Sequence, residues 1–138
     1  MMKVMHYYKC ELETVFLAIQ ILDLFLNVYK GDQVKKHIHL IGATTITIAS
    51  KMQDIVPVKI NILNGVNEME VFIFQVINYQ TILVSPYDFI KSHIHDFKFN
   101  ASEKINNLNL ASNIIILEDN AVFIAKLMLK DDRFNQYR

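Results

Sequence analysis

One stretch of the chain is apolar on nearly every side when it is wound into a helix, and it constrains the fold more than any other segment. It runs from His39 to Pro57 and reads HLIGATTITIASKMQDIVP. A helix that is apolar all round belongs in the middle of a bundle, not on its surface. Its expected buried positions, at helical spacing, are Ile38, Leu40, Ile41, Ala43, Thr45, Ile46, Ile48, Ala49 and Met52. Charged side chains come only at its end, beginning with Lys51.

The composition predicts one folded domain, or one domain and part of another. The chain has 138 residues, of which 52% are hydrophobic, and this is enough for a packed core. Lys and Arg number 14, as do Asp and Glu, and no dense basic run occurs, so nucleic-acid binding is not expected. Gly and Pro are scarce and lie between periodic segments, which predicts helices joined by short turns.

Neither a membrane span nor a secretory signal is expected from this sequence. The longest apolar stretch, 15–29, contains Gln20, Asp23 and Asn27 and is shorter than the roughly 20 apolar residues that a span requires. The first residues lack the apolar segment of a signal peptide. Cys10 is the only cysteine, so no internal disulfide is possible, which favours the nucleus or cytoplasm.

The period of the apolar residues predicts an all-α fold. Residues 13–29, 35–53 and 66–79 are expected to be helices, with a short stub at 2–9 and one possible turn at 58–64. A further helix is expected to start at Ser85-Pro86, because Ser suits an N-cap and Pro the first helical position. Asn100 to Glu103 resembles another cap and predicts a helix over 101–116. A last helix is expected over 120–131, capped by Asp119 or Asn120.

Two segments together carry a resemblance to a known family. The run ETVFLAIQILDLFL at 13–26 resembles the second helix of a cyclin box, whose pattern is ET-x-x-LA-x-x-x-x-D-R-F-L. The stretch from His39 to Pro57 is similar to the third helix, LQLVG-x-x-x-x-x-IASK-x-E-E-x-x-P. Glu68-Met69-Glu70 resembles the start of the fifth helix, and Ser85-Pro86 the joint before a second box in mitotic A/B-type cyclins.

The resemblance implies a cyclin-box helical bundle over 1–84, lacking most of its first helix, followed by a partial second cyclin-like domain of three helices over 85–138. It also implies a regulatory subunit, not an enzyme, that binds and activates a cyclin-dependent protein kinase in cell-cycle control. In the family, the Lys of ASK and the Glu of the fifth helix bind the kinase, and these match Lys51 and Glu70. The apolar contact positions around them match Met52, Ile55, Phe74 and Tyr79. No metal, nucleotide or other cofactor is implied.

The sequence departs from the family pattern at its start. The first helix is reduced to a stub at Val4–Tyr8, and the Arg that pairs with the Asp of the second helix is missing. That Asp is Asp23 here, and we expect it to be solvated or paired locally. The docking patch that needs the first helix is not expected, although Ile38 and His39 would lie at its other wall.

Each predicted contact residue has a simpler structural explanation. Lys51 is also a cation near a helix C-terminus, and Glu70 an anion near a helix start, both of which the helix dipole favours. Phe74 could cover a neighbouring helix. The partner interpretation is preferred because Glu70, Phe74 and Ile77 or Asn78 form a line away from the core line through Met69, Ile73 and Val76.

Other chemistry finds little support in the sequence. The pairs His37/His39 and His93/His95 fall on predicted helices, where residues two apart point to different sides, so a zinc site is not expected. Cys10 has no evident catalytic partner. Two alternatives to a kinase regulator stay open. One is a transcription-factor-like binding module with the same helical box. The other is a degenerate cyclin that activates nothing and self-associates through apolar surface that the missing helix leaves bare.

Overall fold

The computed structural model is helical throughout its secondary structure and describes residues 10–31, 34–58, 60, 64–81, 83–102 and 108–128. For residues 101, 102 and 108–111 only the backbone is described. The helices of the described residues are α1 (Leu12–Val28), α2 (Val34–Gln53), α3 (Val66–Val76), α4 (Pro86–Ser102) and α5 (Leu108–Met128). The predicted all-α fold is confirmed. Helix α1 begins and ends one residue earlier than predicted, and α2 begins one residue earlier and ends at Gln53 as predicted.

The chain divides into two compact units. The first, Met1–Ser85, contains α1, α2 and α3, and the second, Pro86–Arg138, contains α4 and α5. Within the first unit, α2 contacts both α1 and α3, and α1 also contacts α3. In the second unit, α4 contacts α5.

The central helix α2 is buried in its middle, between Ile41 and Ser50, and is largely exposed towards both ends. Its buried residues are Ile41, Thr44, Thr45, Ile46, Thr47, Ile48, Ala49 and Ser50. Ile38 and Met52, which the apolar pattern placed in the core, are exposed. The expectation of a helix buried along its whole length was therefore wrong at both ends, because α1 and α3 do not cover them.

Hydroxyl groups in the buried half of α2 are satisfied within the helix itself. Thr44, Thr45 and Thr47 donate from Oγ1 to the carbonyls of Leu40, Gly42 and Ala43 at 2.8, 2.9 and 3.1 Å. A buried hydroxyl without such a partner would cost about 1–3 kcal/mol. Backbone acceptors one turn earlier therefore let small polar side chains line this close-packed helix.

The core face of α1 differs from the predicted stripe of Val15, Ile19, Leu22 and Leu26. Val15 is buried, but the other three are only half-buried. The fully buried apolar side chains of α1 are Phe16, Ala18, Ile21 and Phe25. The helix is thus rotated relative to the prediction, because apolar residues occur on several of its faces and the pattern did not distinguish them.

An aromatic cluster joins the end of α1 to α3. The ring centroids of Phe25 and Tyr29 lie 5.4 Å apart, and Phe72 meets both rings edge-on at 5.9 and 5.3 Å. Edge-to-face pairs of this kind add to the stabilisation from burial. They hold α3 at the C-terminal end of α1.

Helix α3 is bounded by left-handed backbone at both sides. Gly65 precedes it with φ of 88°, a conformation that glycine adopts without steric cost. After Val76 the chain forms a turn in which Asn78 and Tyr79 have φ of 52° and 56°. The predicted helix over 66–79 was therefore three residues too long.

The second unit corrects several predicted helix boundaries. Asn100 lies inside α4, so the expected cap at Asn100 to Glu103 is not a helix start. Asp119 and Asn120 lie inside α5, which continues to Met128, so no last helix begins there. Where three helices were expected, the described residues of this unit form two. Its buried apolar side chains include Ile94, Ile114 and Ala125, and Lys98 on α4 pairs with Glu118 on α5 at 2.8 Å.

Some predictions fall outside the described residues. The stub at 2–9 lies there entirely, and the turn at 58–64 does so in part; Val58 and Ile60 are not helical. Among the residues that were searched, no helix combines the length and the apolar character that crossing a membrane requires.

We predict that Ile46→Ala lowers the free energy of unfolding by about 2–5 kcal/mol, because it leaves a cavity where α2 packs in the core. Ile46 is 1% exposed. The matched control is Ile55→Ala, the same change at a side chain that is 100% exposed, which should alter stability by less than about 0.5 kcal/mol. Urea unfolding followed by circular dichroism measures both, and equal effects would contradict the described core.

Candidate functional site

Lys51 and Glu70, the two predicted anchors, meet in the structure. Lys51 lies in the last turn of α2 and Glu70 in the first half of α3. The Lys51 Nζ atom donates to both carboxylate oxygens, at 2.8 Å to Oε1 and 2.6 Å to Oε2. The Lys51 side chain is 48% exposed and that of Glu70 16%. The pair thus links α2 to α3, while 48% of the Lys51 side chain remains exposed to solvent.

Exposed apolar side chains follow Lys51 on the segment where α2 ends. Met52 is exposed, Ile55 is 100% exposed and Val56 is 81% exposed. Three large apolar side chains so close in sequence and left in water are typical of a surface that another chain covers. Met52 and Ile55 were predicted contact residues, whereas Val56 was not.

Phe74 and Tyr79 stack on each other at the end of α3. Their ring planes are 5° from parallel with centroids 6.1 Å apart. Phe74 is half-buried against the core, and Tyr79 is 64% exposed. The backbone N–H of Tyr79 donates to the Phe74 carbonyl at 2.8 Å. The left-handed turn at Asn78 and Tyr79 therefore folds the Tyr79 ring back over α3.

The outer line that the sequence predicted on α3 is only partly correct. Glu70 and Phe74 do lie one turn apart with some exposure. Of the two alternatives for the last position, Ile77 is buried in the core and Asn78 is exposed. On the predicted core line, Ile73 is fully buried, whereas Met69 and Val76 are half-buried. Phe74 partly covers the core, as the simpler explanation allowed, and is also stacked under an exposed ring.

A hydrogen-bond network that the sequence did not predict lies beside Lys51. The Thr14 hydroxyl on α1 donates to Asp54 Oδ1 at 2.6 Å. The Ser50 hydroxyl on α2 donates to Asp54 Oδ2, and its oxygen accepts the backbone N–H of Val58 at 2.7 Å. This network, which we call the Asp54 network, joins the start of α1, the end of α2 and the chain after it.

Cys10 lies close to the Asp54 network. Burial and, second, the negative charge of Asp54 raise the pKa of the Cys10 thiol, and a hydrogen bond with its own backbone opposes them. A thiol with a raised pKa carries less thiolate at neutral pH and reacts more slowly. The structure therefore gives Cys10 no nucleophilic activation.

The described residues also form a groove beside Lys51, and they contain no cluster that could hold a metal. A groove of about 600 Å³ lies beside Lys51, with Thr47, Pro57, Val58, Gly65 and Glu68 among its lining residues. No group of three or more His, Cys, Asp or Glu that could hold a metal occurs in the described part of the chain. Asp23 is half-buried on α1 and has an interaction partner.

The same region of the chain matches a known protein family. Residues 1–82 match the model of the cyclin N-terminal domain. The chain belongs to the cyclin family. The segment that contains Lys51, Glu70 and the Asp54 network is therefore a cyclin box in sequence as well as in helical structure.

Several named cyclins are similar to the chain. It is 33% identical to G1/S-specific cyclin-E of Drosophila melanogaster over 64% of this chain and 12% of that protein. It is 32% identical to G1/S-specific cyclin-D1 of Danio rerio over 75% of this chain and 38% of that protein. It is 29% identical to G2/mitotic-specific cyclin-B3 of Mus musculus over 59% of this chain and 6% of that protein.

The chain thus spans well under half the length of these relatives. No solved structure matches it significantly. Because cyclins of E, D1 and B3 type all match, the expected closeness to the mitotic A/B types stays a prediction.

We predict that the Lys51–Glu70 pair contributes little to the stability of the free chain. A partly exposed ion pair is worth about 0–1 kcal/mol, because water screens it and two side chains lose freedom. A double-mutant cycle with Lys51→Ala and Glu70→Ala, measured by urea unfolding, should give a coupling free energy in that range. A coupling above about 2 kcal/mol would contradict this and favour a structural role for the pair.

We predict that Cys10 is alkylated by iodoacetamide with a pH midpoint above that of a free cysteine. Asp54→Asn removes the carboxylate charge that raises the pKa, so the midpoint should fall and alkylation near pH 8 should become faster. Burial remains in that variant, so the midpoint should not reach the ordinary value. The control is Glu11→Gln, which neutralises an exposed carboxylate next to Cys10 and should leave the profile unchanged.

Proposed function

We propose that this chain is a cyclin-like regulatory subunit that binds and activates a cyclin-dependent protein kinase in cell-cycle control. The observation that carries the proposal is the Lys51–Glu70 pair, exposed at the end of a buried helix and beside exposed apolar side chains. The names of the similar cyclins refer to stages of the cell cycle, which supports the same role. Its location would then be the nucleus, the cytoplasm or both.

The Lys51–Glu70 pair can hydrogen-bond either the backbone groups at the end of a partner's segment or the polar side chains of a partner's helix. The ammonium group of Lys51 has three N–H donors, and it donates two hydrogen bonds to Glu70. A donor of Lys51 and free lone pairs of Glu70 therefore stay available for a partner while the pair itself remains formed. Met52, Ile55, Phe74 and Tyr79 would supply apolar contact around this polar centre.

A rigid helical unit can activate a kinase by position alone. Phosphoryl transfer in protein kinases requires a strand Lys paired with a Glu on a mobile helix. A partner that binds only the active position of that helix shifts the population toward it. The binding free energy that separates the two positions sets the size of the shift.

We predict that Lys51→Ala and Glu70→Ala each weaken capture of a cyclin-dependent kinase by at least about tenfold, since each leaves a buried polar group of the complex unpaired. The measurement is co-purification of the purified chain with a panel of such kinases, followed by titration of the best one. The matched control is Lys98→Ala, which breaks another Lys–Glu pair with 49% exposure of the Lys side chain. Capture by both variants equal to wild type would overturn the assignment of the anchors.

The charge swap Lys51→Glu with Glu70→Lys separates the partner role from the internal pair. It restores the ion pair between α2 and α3 but exchanges the groups that a partner meets. The unfolding midpoint should stay near that of wild type, while capture stays lost. Rescue of capture by the swap would favour a purely structural pair.

Kinase activity in the captured complex tests activation separately from binding. Phosphorylation of a peptide substrate should rise with added chain in proportion to the complex formed. Capture without a rise in activity would overturn activation and favour a degenerate cyclin. Capture of no kinase by the wild type would overturn the proposed function itself.

A further inference from the structure

Asp54 is a carboxylate at a place where the helix alone gives no reason for one. It directly follows Gln53, the last residue of α2, and its backbone N–H donates to the Ser50 carbonyl at 2.9 Å. The C-terminal end of a helix carries partial negative charge, which disfavours an anion. An acidic side chain at this position therefore requires hydrogen-bond donors as partners to offset this unfavourable charge.

Both oxygens of Asp54 have such a partner. Oδ1 accepts the Thr14 hydroxyl at 2.6 Å, and Oδ2 accepts the Ser50 hydroxyl. Both donor residues are fully buried. Hydrogen bonds to an ionised carboxylate are about twice as strong as those between neutral groups. The carboxylate thus ties the first turn of α1 to the last turn of α2.

Ser50 differs from the other buried hydroxyl residues of α2 in what it contacts. Thr44, Thr45 and Thr47 donate to carbonyls of their own helix. Ser50 donates instead to Asp54, and its oxygen also accepts the backbone N–H of Val58. The chain is therefore anchored at Asp54 and again at Val58.

Between these two anchors lie Ile55, Val56 and Pro57, which we call the bridge. All three are exposed, and Ile55 and Val56 are almost wholly so. No side chain of the bridge is buried, so none of the three is held by the core. The direction of this apolar segment depends on the Asp54 network at its two ends.

We propose that the Asp54 network is a positioning device that holds the bridge in one conformation. Ile55 and Val56 are then already ordered when a partner binds, so they lose little conformational freedom on binding. The inference rests on the proposed function, because that partner is the kinase, and it adds Val56 to the contact surface. Thr14, Ser50 and Asp54 act through the bridge and do not themselves touch the partner. A segment that is already ordered binds more tightly because less entropy is lost on binding.

The test compares Thr14→Val with Thr45→Val in the full chain. Both residues are fully buried, and both changes replace a hydroxyl by a methyl group of similar size. The Thr14 hydroxyl donates a hydrogen bond to Asp54, whereas the Thr45 hydroxyl donates to a carbonyl of its own helix. Amide hydrogen exchange should show the Val58 N–H exchanging at least about tenfold faster in Thr14→Val and within about twofold of wild type in Thr45→Val. Unchanged exchange in Thr14→Val would overturn the proposal whether or not a kinase is captured.

Kinase capture provides the second readout. Thr14→Val should weaken capture by about tenfold and Thr45→Val by less than about twofold. In a chain that already carries Ile55→Ala and Val56→Ala, Thr14→Val should have no further effect, because the network acts through those side chains. A full additional loss there would indicate a merely structural role and overturn the proposal.

A second variant keeps the test decisive if Thr14→Val does not fold. If circular dichroism shows that Thr14→Val does not fold, Asp54→Asn replaces it, since that change removes the charge and one of the two acceptors. The same faster exchange at Val58 and the same dependence on the bridge are expected. If wild type captures no kinase, the proposed function fails, and the exchange measurement still decides whether the network holds the bridge.

Discussion

The packing of α2 between α1 and α3 is the constraint on which the rest of the first unit depends. Its buried half contains hydroxyl and small side chains as well as isoleucines, which allows the neighbouring helices to approach closely. Such a helix is tolerated only because each of its buried hydroxyl groups has an acceptor. Three of them use the helix itself, and the fourth, that of Ser50, uses Asp54. Ser50, the only one of these four residues whose hydroxyl bonds outside the helix backbone, directly precedes Lys51.

The candidate site is therefore built where the buried helix comes to an end. The core fixes Ile48 and Ala49, the Asp54 network fixes the following turn, and the Lys51–Glu70 pair connects that turn to α3. Side chains on such a support need little reorganisation to meet a partner. The fold thus positions a polar pair next to an apolar bridge, and we expect neither to add much to the stability of the free chain.

The sequence predicted the first unit better than the second, for physical reasons. The end of α2 was predictable because Pro57 and the change from apolar to charged residues both mark it. The cap expected at Asn100 was wrong because Asn and Ser also occur inside helices, where packing decides. The partnership of Thr14 and Asp54 could not be predicted, since 40 residues separate them and only the fold brings them together.

The pairing of Lys51 with Glu70 has a consequence for how a partner would approach. Opposite charges 2.6 Å apart cancel at a distance, and the chain as a whole has a net charge of zero. The pair itself therefore adds little to the long-range electric field of the surface and would not by itself steer a partner before contact. As far as the pair is concerned, association would proceed at the ordinary rate of unsteered encounters and depend little on ionic strength. Selectivity among kinases would then reside in the lifetime of the complex after contact.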